Sequence, residues 1–317
     1  MISAADKNSK TFESEIADFI ELSKPKVMRL VVFTAAVAMI AAPGSIHPII
    51  AFSSLLCVAI GAGAAGALNM WWEADLDAIM KRTRERPIPS GRISSEQALS
   101  FGTILAFLSV MMLGLFANFL SAFLLAITIL FYLVIYSMWL KRLTPQNIVI
   151  GGAAGAFPPI IGWSIVSGGI HIESILMFLL IFIWTPPHFW TLALFVKNDY
   201  SDARVPMLTV THGPVIAKRQ IVFYTCLLSI LSLFIAFSEI GGPIFLAVST
   251  ILNLIFLGSS IKLLSRNSET SLFDGFRLEK RLFLFSIYYL FLVFIAIGVE
   301  AVLRSFGVGF PNWPTVI

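Results

Sequence analysis

Long apolar runs, broken by short polar links, occupy the chain from about residue 27 to residue 303. Nine of them are long enough to cross a bilayer as helices: about 27–43, 49–72, 97–116, 119–138, 147–167, 172–196, 215–237, 242–264 and 281–303. The apolar positions are continuous rather than alternating, which excludes a transmembrane β-barrel. The pattern predicts an all-α fold: a polytopic membrane helical bundle of about nine transmembrane helices around a central cavity. Residues 1–23 differ from the rest. Glu13, Glu15, Asp18 and Glu21 interleave with Phe12, Ile16, Phe19 and Ile20, the pattern of a surface helix leading into the membrane. The chain thus divides into an N-terminal cytoplasmic segment, 1–23, and a single transmembrane domain, 24–317.

Three runs carry further information. The second is rich in small residues (Gly61, Gly63, Ala64, Ala65, Gly66 and Ala67), so it is expected inside the bundle, where helices approach closely. The fifth has Pro158-Pro159 in its middle and should kink or break there. Broken helices at membrane depth are tolerated where they line a cavity. The sixth carries another pair, Pro186-Pro187, followed by His188. In each half of the chain a long run ends in an acidic and basic link, Asn69 to Arg86 and then Lys197 to Arg204, which reads as an approximate internal repeat.

Composition strengthens this picture. The 317 residues are 58% hydrophobic and 13% charged, with a mean hydropathy of +0.89; a soluble domain is excluded. The net charge of +4 belongs to the links rather than to a nucleic-acid surface. Of the 22 Lys and Arg residues, all but Arg304 fall before the first run is under way or in and around alternate links. The remaining links, near 44–48, 117–118, 168–171 and 238–241, carry none. The N-terminus and both acidic links are therefore expected to face the cytoplasm. Cys57 and Cys226 lie inside apolar runs without metal-ligand spacing.

The chemistry concentrates where the second run ends. Asn69, Glu73 and Asp77 are spaced i, i+4, i+8, which places one amide and two carboxylates on one face if the helix continues through them. Such oxygen ligands suit Mg²⁺, which takes one or two carboxylates and fills its other positions with phosphate and water. Lys81, Arg82, Arg84 and Arg86 follow directly. A diphosphate bridged by Mg²⁺ needs both kinds of partner. The plainer alternative is an ordinary cytoplasmic link whose positive charge only fixes topology. His188, in an apolar run, is an ionisable group in a costly place. It reads either as a functional group or as a histidine hydrogen-bonded within the bundle.

These residues resemble the UbiA-type intramembrane prenyltransferases. The first motif of that family, N-x-x-x-[DE]-x-x-x-D followed by R-T-x-x-R-P, reads here as Asn69, Glu73, Asp77, Arg82-Thr83 and Arg86-Pro87. A Tyr-to-Lys motif reads Tyr136 to Lys141-Arg142, and a glycine and proline stretch runs from Ile150 to Trp163. Trp184-Thr185-Pro186-Pro187-His188-Phe189-Trp190, with Asp199-Tyr200 and Val205-Pro206-Met207-Leu208, resembles the heme-modifying branch of the family. The resemblance covers about Leu22 to Tyr289. It departs from many members at the second acidic motif, where the position four after Asp199 is Ala203 and Asp202 stands at i+3.

The resemblance implies farnesyl diphosphate as donor, heme B as acceptor, Mg²⁺ as cofactor, a bacterial inner membrane as location, and a downstream heme A synthase as a candidate partner. It implies metal and catalytic roles for Asn69, Glu73, Asp77 and Asp199, with Lys141 assisting. Substrate binding falls to Arg82, Arg86, Tyr136, Arg142, His188 and Asp202. Phe157, Trp163, Phe189 and Trp190 are candidates to line the pocket of an allylic cation, which must be shielded from water. His47 and His171, in outer links, are alternative heme contacts. A prenyltransferase acting on another aromatic ring, and a transporter, remain open on the residues alone.

Overall fold

The computed structural model describes residues 15–310 and 313–315; residues 1–14, the first part of the expected surface helix, lie outside the described residues. Among the described residues there is no strand. Nine long helices follow in order: α1 (Pro25–Ala41), α2 (Pro48–Trp72), α3 (Ser95–Phe116), α4 (Phe119–Leu143), α5 (Asn147–Ser167), α6 (Ile172–Phe195), α7 (Gly213–Ala236), α8 (Pro243–Leu264) and α9 (Arg277–Ser305). Eight are long and apolar enough to cross a membrane, and α1, with 17 residues, is at the lower end of that range. Its start meets the end of α2, so the two helices must run in opposite senses through the same layer. The protein is an integral, multi-pass membrane protein.

Two apolar cores hold the bundle. One joins α1 and α5 to α6–α9 through Trp184, Trp190, Phe245, Phe256 and Phe294; the other joins α1 and α5 to α2–α4 through Val58, Leu113, Leu125 and Ile161. Both pass through α1 and α5, which tie the halves together. The small residues of α2 have the expected use. A Cβ on Gly61 would lie 2.9 Å from Leu125 Cδ1 of α4, and one on Gly63 3.1 Å from Ser23 Cβ, so the stripe admits both α4 and the chain entering α1.

The first proline pair acts as expected. Helix α5 stops at Ala156 and restarts at Pro158, with the prolines in a first turn where no amide donor is needed. The second pair does not interrupt α6. Thr185 and Thr191 donate their hydroxyls to the carbonyls of Ile181 and Pro187, at 2.8 and 2.6 Å, supplementing the backbone ladder on either side. Two boundaries also differ from the sequence reading. Helix α4 runs on to Leu143 through a π-helical stretch, Phe131–Leu140, and α9 begins at Arg277.

Helix α1 packs backbone to backbone on α5, where a Cβ on Gly162 would lie 2.2 Å from the carbonyl oxygen of Ala35. A backbone atom cannot rotate away. Gly162→Ala should therefore destabilise the detergent-solubilised protein by about 1–3 kcal/mol, the usual range for overpacking. Gly155→Ala, whose Cβ meets nothing within 4 Å, should not. Thermal unfolding of the two variants side by side checks this; equal midpoints would refute it.

Candidate active site

Helix α2 ends at Trp72 and a short helix, Ala74–Ile79, continues beyond it. The backbone breaks helical geometry at Glu73 yet keeps the i to i+4 hydrogen bonds, Glu73 N–H to Asn69 O and Asp77 N–H to Glu73 O. Asn69, Glu73 and Asp77 therefore keep their common row although the helix bends between them. All three are about 2% exposed. Polar and charged groups buried to that degree must find partners, and all three do.

Asn69 donates to Ser137 Oγ at 2.7 Å and accepts from Lys24 Nζ. Glu73 accepts from Lys141 Nζ through Oε2, while its Oε1 is buried without a partner. Asp77 Oδ2 accepts from Arg86 Nη1 at 2.6 Å. Three cations thus press on two carboxylates and one amide. Burial alone would raise the Glu73 carboxyl, but the Lys141 and Lys24 charges outweigh it and hold it below its ordinary value. Lys24 carries the opposite strain: burial, reinforced by Arg86 and Lys141 against the pull of Glu73, brings it down to about 7.

Local structure delivers these cations. Lys24 sits in the left-handed region at φ 51°, an uncommon conformation for a residue with a side chain, in the turn before α1. Gly63 and Gly66 make room for that turn. The π-helical stretch of α4 brings Ser137 to Asn69, stacks Tyr132 on Tyr136 with ring centroids 5.3 Å apart, and leads into Lys141. Gly151 of α5 clears the Tyr136 ring, which a Cβ would meet at 2.0 Å. Lys24 and Lys141 lie 5.9 and 6.0 Å from the ring centroids of Tyr132 and Tyr136.

The second acidic link closes against the first. Asp199, on the short helix Lys197–Asp202, accepts from the Arg82 backbone amide at 3.4 Å. Beneath this contact Leu76 and Met80 pack with Tyr200, Ala203, Val205 and Met207 in one buried apolar cluster. The N-terminal helix, residues 15–22, is tied to the same rim: Arg92 reaches Asp18 and Glu21 and donates to the Glu85 carbonyl at 2.7 Å.

Other expected residues fall outside this convergence. Arg142 is occupied by Asp75, its guanidinium meeting both carboxylate oxygens at 2.8 and 3.0 Å. The Arg82 guanidinium and the Asp202 carboxylate, both on exposed residues, make no hydrogen bond to the described residues. His188 lies within α6, away from the acids, beside Phe189. Trp163 donates to His171 Nδ1 at 2.9 Å, and His47 caps α2. Trp163 and Trp190 are 2% and 1% exposed and belong to the core. Lys24, Ser137, Asp75 and Tyr132 were not candidates on sequence. Only Lys24, a lone cation directly before an apolar run, carried any local signal.

Among the described residues, no three His, Cys, Asp or Glu side chains converge closely enough to hold a metal ion. The reason is that Glu73 and Asp77 are turned onto Lys141 and Arg86, and Asp199 onto the Arg82 amide. The donor set still fits Mg²⁺: hard oxygens on one row, one of them, Glu73 Oε1, buried with no partner.

The chain matches known proteins over most of its length. The UbiA prenyltransferase family model matches residues 30–287. A solved digeranylgeranylglyceryl phosphate synthase superposes with a TM-score of 0.73 at 18% identity, covering 91% of this chain and 99% of that one. A UbiA homolog from Archaeoglobus fulgidus, bound to DMAPP and Mg²⁺, gives a TM-score of 0.60 at 14% identity, covering 86% and 99%. Protoheme IX farnesyltransferase of Roseobacter denitrificans is 58% identical over 301 residues, 95% of this chain and 96% of that protein. The protein of the same name from Paracoccus denitrificans strain Pd 1222 is 56% identical over 288 residues, 91% and 94%. The chain belongs to the UbiA prenyltransferase family and, within it, to the protoheme IX farnesyltransferase group.

The Lys141–Glu73 pair gives a direct test of the electrostatics. Lys141→Met leaves a buried carboxylate without its main partner and should destabilise the protein by about 3 kcal/mol. Adding Glu73→Gln should recover most of that loss. Chemical denaturation of the two single variants and the double variant measures the coupling; additive effects would show that the pair does not act as one.

Proposed function

We propose that this prenyltransferase moves the farnesyl group of farnesyl diphosphate to a vinyl group of heme B, with water addition, to give heme O and diphosphate. One observation carries the reading: a buried row of oxygen donors at the end of an apolar bundle, ringed by Lys24, Lys141 and Arg86. Lys141 and Arg86 each pair with one carboxylate, while Lys24 rests on the Asn69 amide and is the group an anion such as diphosphate can draw on. The apolar interior beneath suits a farnesyl chain and a porphyrin. The names of the 54–58% identical relatives support heme as the acceptor. The acids sit at one end of the bundle, each paired with a cation or an amide, which favours this reading over a transporter.

Asn69, Glu73, Asp77 and Asp199 would hold Mg²⁺. Bound there, the ion neutralises diphosphate charge and makes it a better leaving group. Arg86 and Lys141 turn from their carboxylates, and Lys24 from the Asn69 amide, toward the phosphate oxygens, and Arg82 joins them from the rim. The farnesyl C1–O bond breaks with its electron pair leaving on diphosphate. C1 then bonds to the terminal vinyl carbon of the porphyrin. Water adds to the cation left on the inner vinyl carbon and loses a proton. The apolar walls delay water until the carbon–carbon bond has formed. His188, buried within α6, contacts the porphyrin in the interior, away from the link that bears Asp199. Heme O would pass to a downstream heme A synthase. The positive links support an inner membrane setting with the N-terminus and site toward the cytoplasm.

Membranes incubated with labelled farnesyl diphosphate, Mg²⁺ and heme should yield a farnesylated heme; no labelled pigment would overturn the reading. Asn69→Ala and Asp77→Ala should each lower turnover by at least 100-fold, on the order of one lost electrostatic stabiliser, with heme binding retained. Near-normal product formation by either variant would remove the row from the mechanism. The shared compartment of the two links has its own check. On a background lacking Cys57 and Cys226, single cysteines at Ser90 and Ser201 should label from the same side of sealed vesicles. Labelling from opposite sides would rule out a single site.

A further inference from the structure

His188 is held in a way that its own helix does not explain. Its ring lies between Trp184 and Phe283, with centroids 4.4 and 4.6 Å away and planes inclined by 18° and 24°. Phe189 meets it edge-on at 5.1 Å. Both faces of the imidazole are covered, so a planar ligand cannot stack on it. On the edge, Nδ1 lies 2.7 Å from Ser286 Oγ. The Ser286 hydroxyl has one hydrogen, and it donates that hydrogen to the Phe283 carbonyl oxygen at 2.6 Å. Ser286 Oγ is therefore the acceptor, and Nδ1 carries the ring proton. The other nitrogen, Nε2, is left with a free lone pair and makes no hydrogen bond to the described residues. His188 as a whole is 8% exposed. Ser286 is itself fixed: it is 0% exposed, and its carbonyl accepts from Trp184 Nε1 at 2.8 Å.

We infer that Ser286 is a positioning residue that holds His188 in its Nδ1-protonated form so that Nε2 can ligate the iron of the heme substrate. The inference rests on the heme-acceptor reading above and deepens it. A histidine that binds a metal through one nitrogen commonly donates the other N–H to a fixed acceptor, which sets tautomer and ring orientation. The covered faces leave edge-on approach through Nε2, the geometry of an axial ligand. A serine on α9 thereby controls a ligand on α6, and the porphyrin is oriented for its vinyl edge to meet farnesyl C1.

The test uses the purified full-length protein, hemin followed by its absorbance spectrum, and farnesyl thiodiphosphate as a slowly reacting donor analogue. Ser286→Ala should weaken hemin binding by about 10–100-fold and shift the Soret band, as His188→Ala does, while analogue affinity stays unchanged. Ser286→Thr, which keeps the hydroxyl, should restore the wild-type spectrum. A wild-type spectrum and hemin affinity in Ser286→Ala would overturn the positioning role. Loss of analogue binding in both Ser286 variants would also overturn it, assigning the serine to packing of α6 on α9. A spectrally unchanged His188→Ala, with wild-type protein still making farnesylated heme, would remove the iron-ligand assignment and leave the reaction standing. Failure of wild-type protein to make that product would remove the acceptor reading, and this inference with it.

Discussion

The structure depends on one electrostatic constraint: two carboxylates and an amide are buried at the end of a membrane helix. Desolvating a carboxylate costs several kcal/mol unless a cation and hydrogen bonds compensate. The compensation comes from three directions. Lys24 arrives from the turn before α1, Lys141 from the end of α4, and Arg86 from the link after Asp77. The first two of those elements have an irregular backbone and a cleared space that make the delivery possible: a left-handed residue at Lys24, a π-helical stretch before Lys141, and glycines at 63, 66 and 151. Regular helices alone would not bring all three cations to one row.

The same constraint couples the site to the fold. The link that carries Arg86 is held by the apolar packing of Leu76 and Met80 against Val205 and Met207, and by its own Arg92 paired with Asp18 and Glu21 of the N-terminal helix. The two halves of the chain therefore meet twice, once through the shared helices α1 and α5 and once over the site. The contacts that satisfy the acids without ligand are those that a diphosphate and its cation would compete for. Glu73 Oε1, buried without a partner, marks where that compensation is incomplete.

On the proposed reading, the two kinds of chemistry lie at different depths. Charged groups gather at one end, where leaving-group departure needs them. The interior around His188 is aromatic and almost free of charge, which suits a porphyrin and an allylic cation. The connection between the levels is α6, which carries His188 in its interior and leads at its end into the helix that bears Asp199.

Much of this was legible in the chain. Continuous apolar runs determine helices because the bilayer leaves no other way to satisfy backbone groups, and their number and approximate ends follow from length alone. The Asn69, Glu73, Asp77 row was visible because its spacing matches the helical period, and it survived the bend at Glu73 because the i to i+4 hydrogen bonds were kept. The break at Pro158 followed from proline chemistry, whereas continuity through Pro186-Pro187 depended on neighbouring threonines and packing, which spacing does not reveal. What only the tertiary structure decided is which charges meet. Lys24 is 45 residues from Asn69, Lys141 is 68 from Glu73, and Ser286 is 98 from His188. Arg142, adjacent to Lys141, went instead to Asp75. Local sequence encodes a helix face through its periodicity, but a pairing between distant faces depends on how the helices cross, and that is set by the packing of the whole bundle.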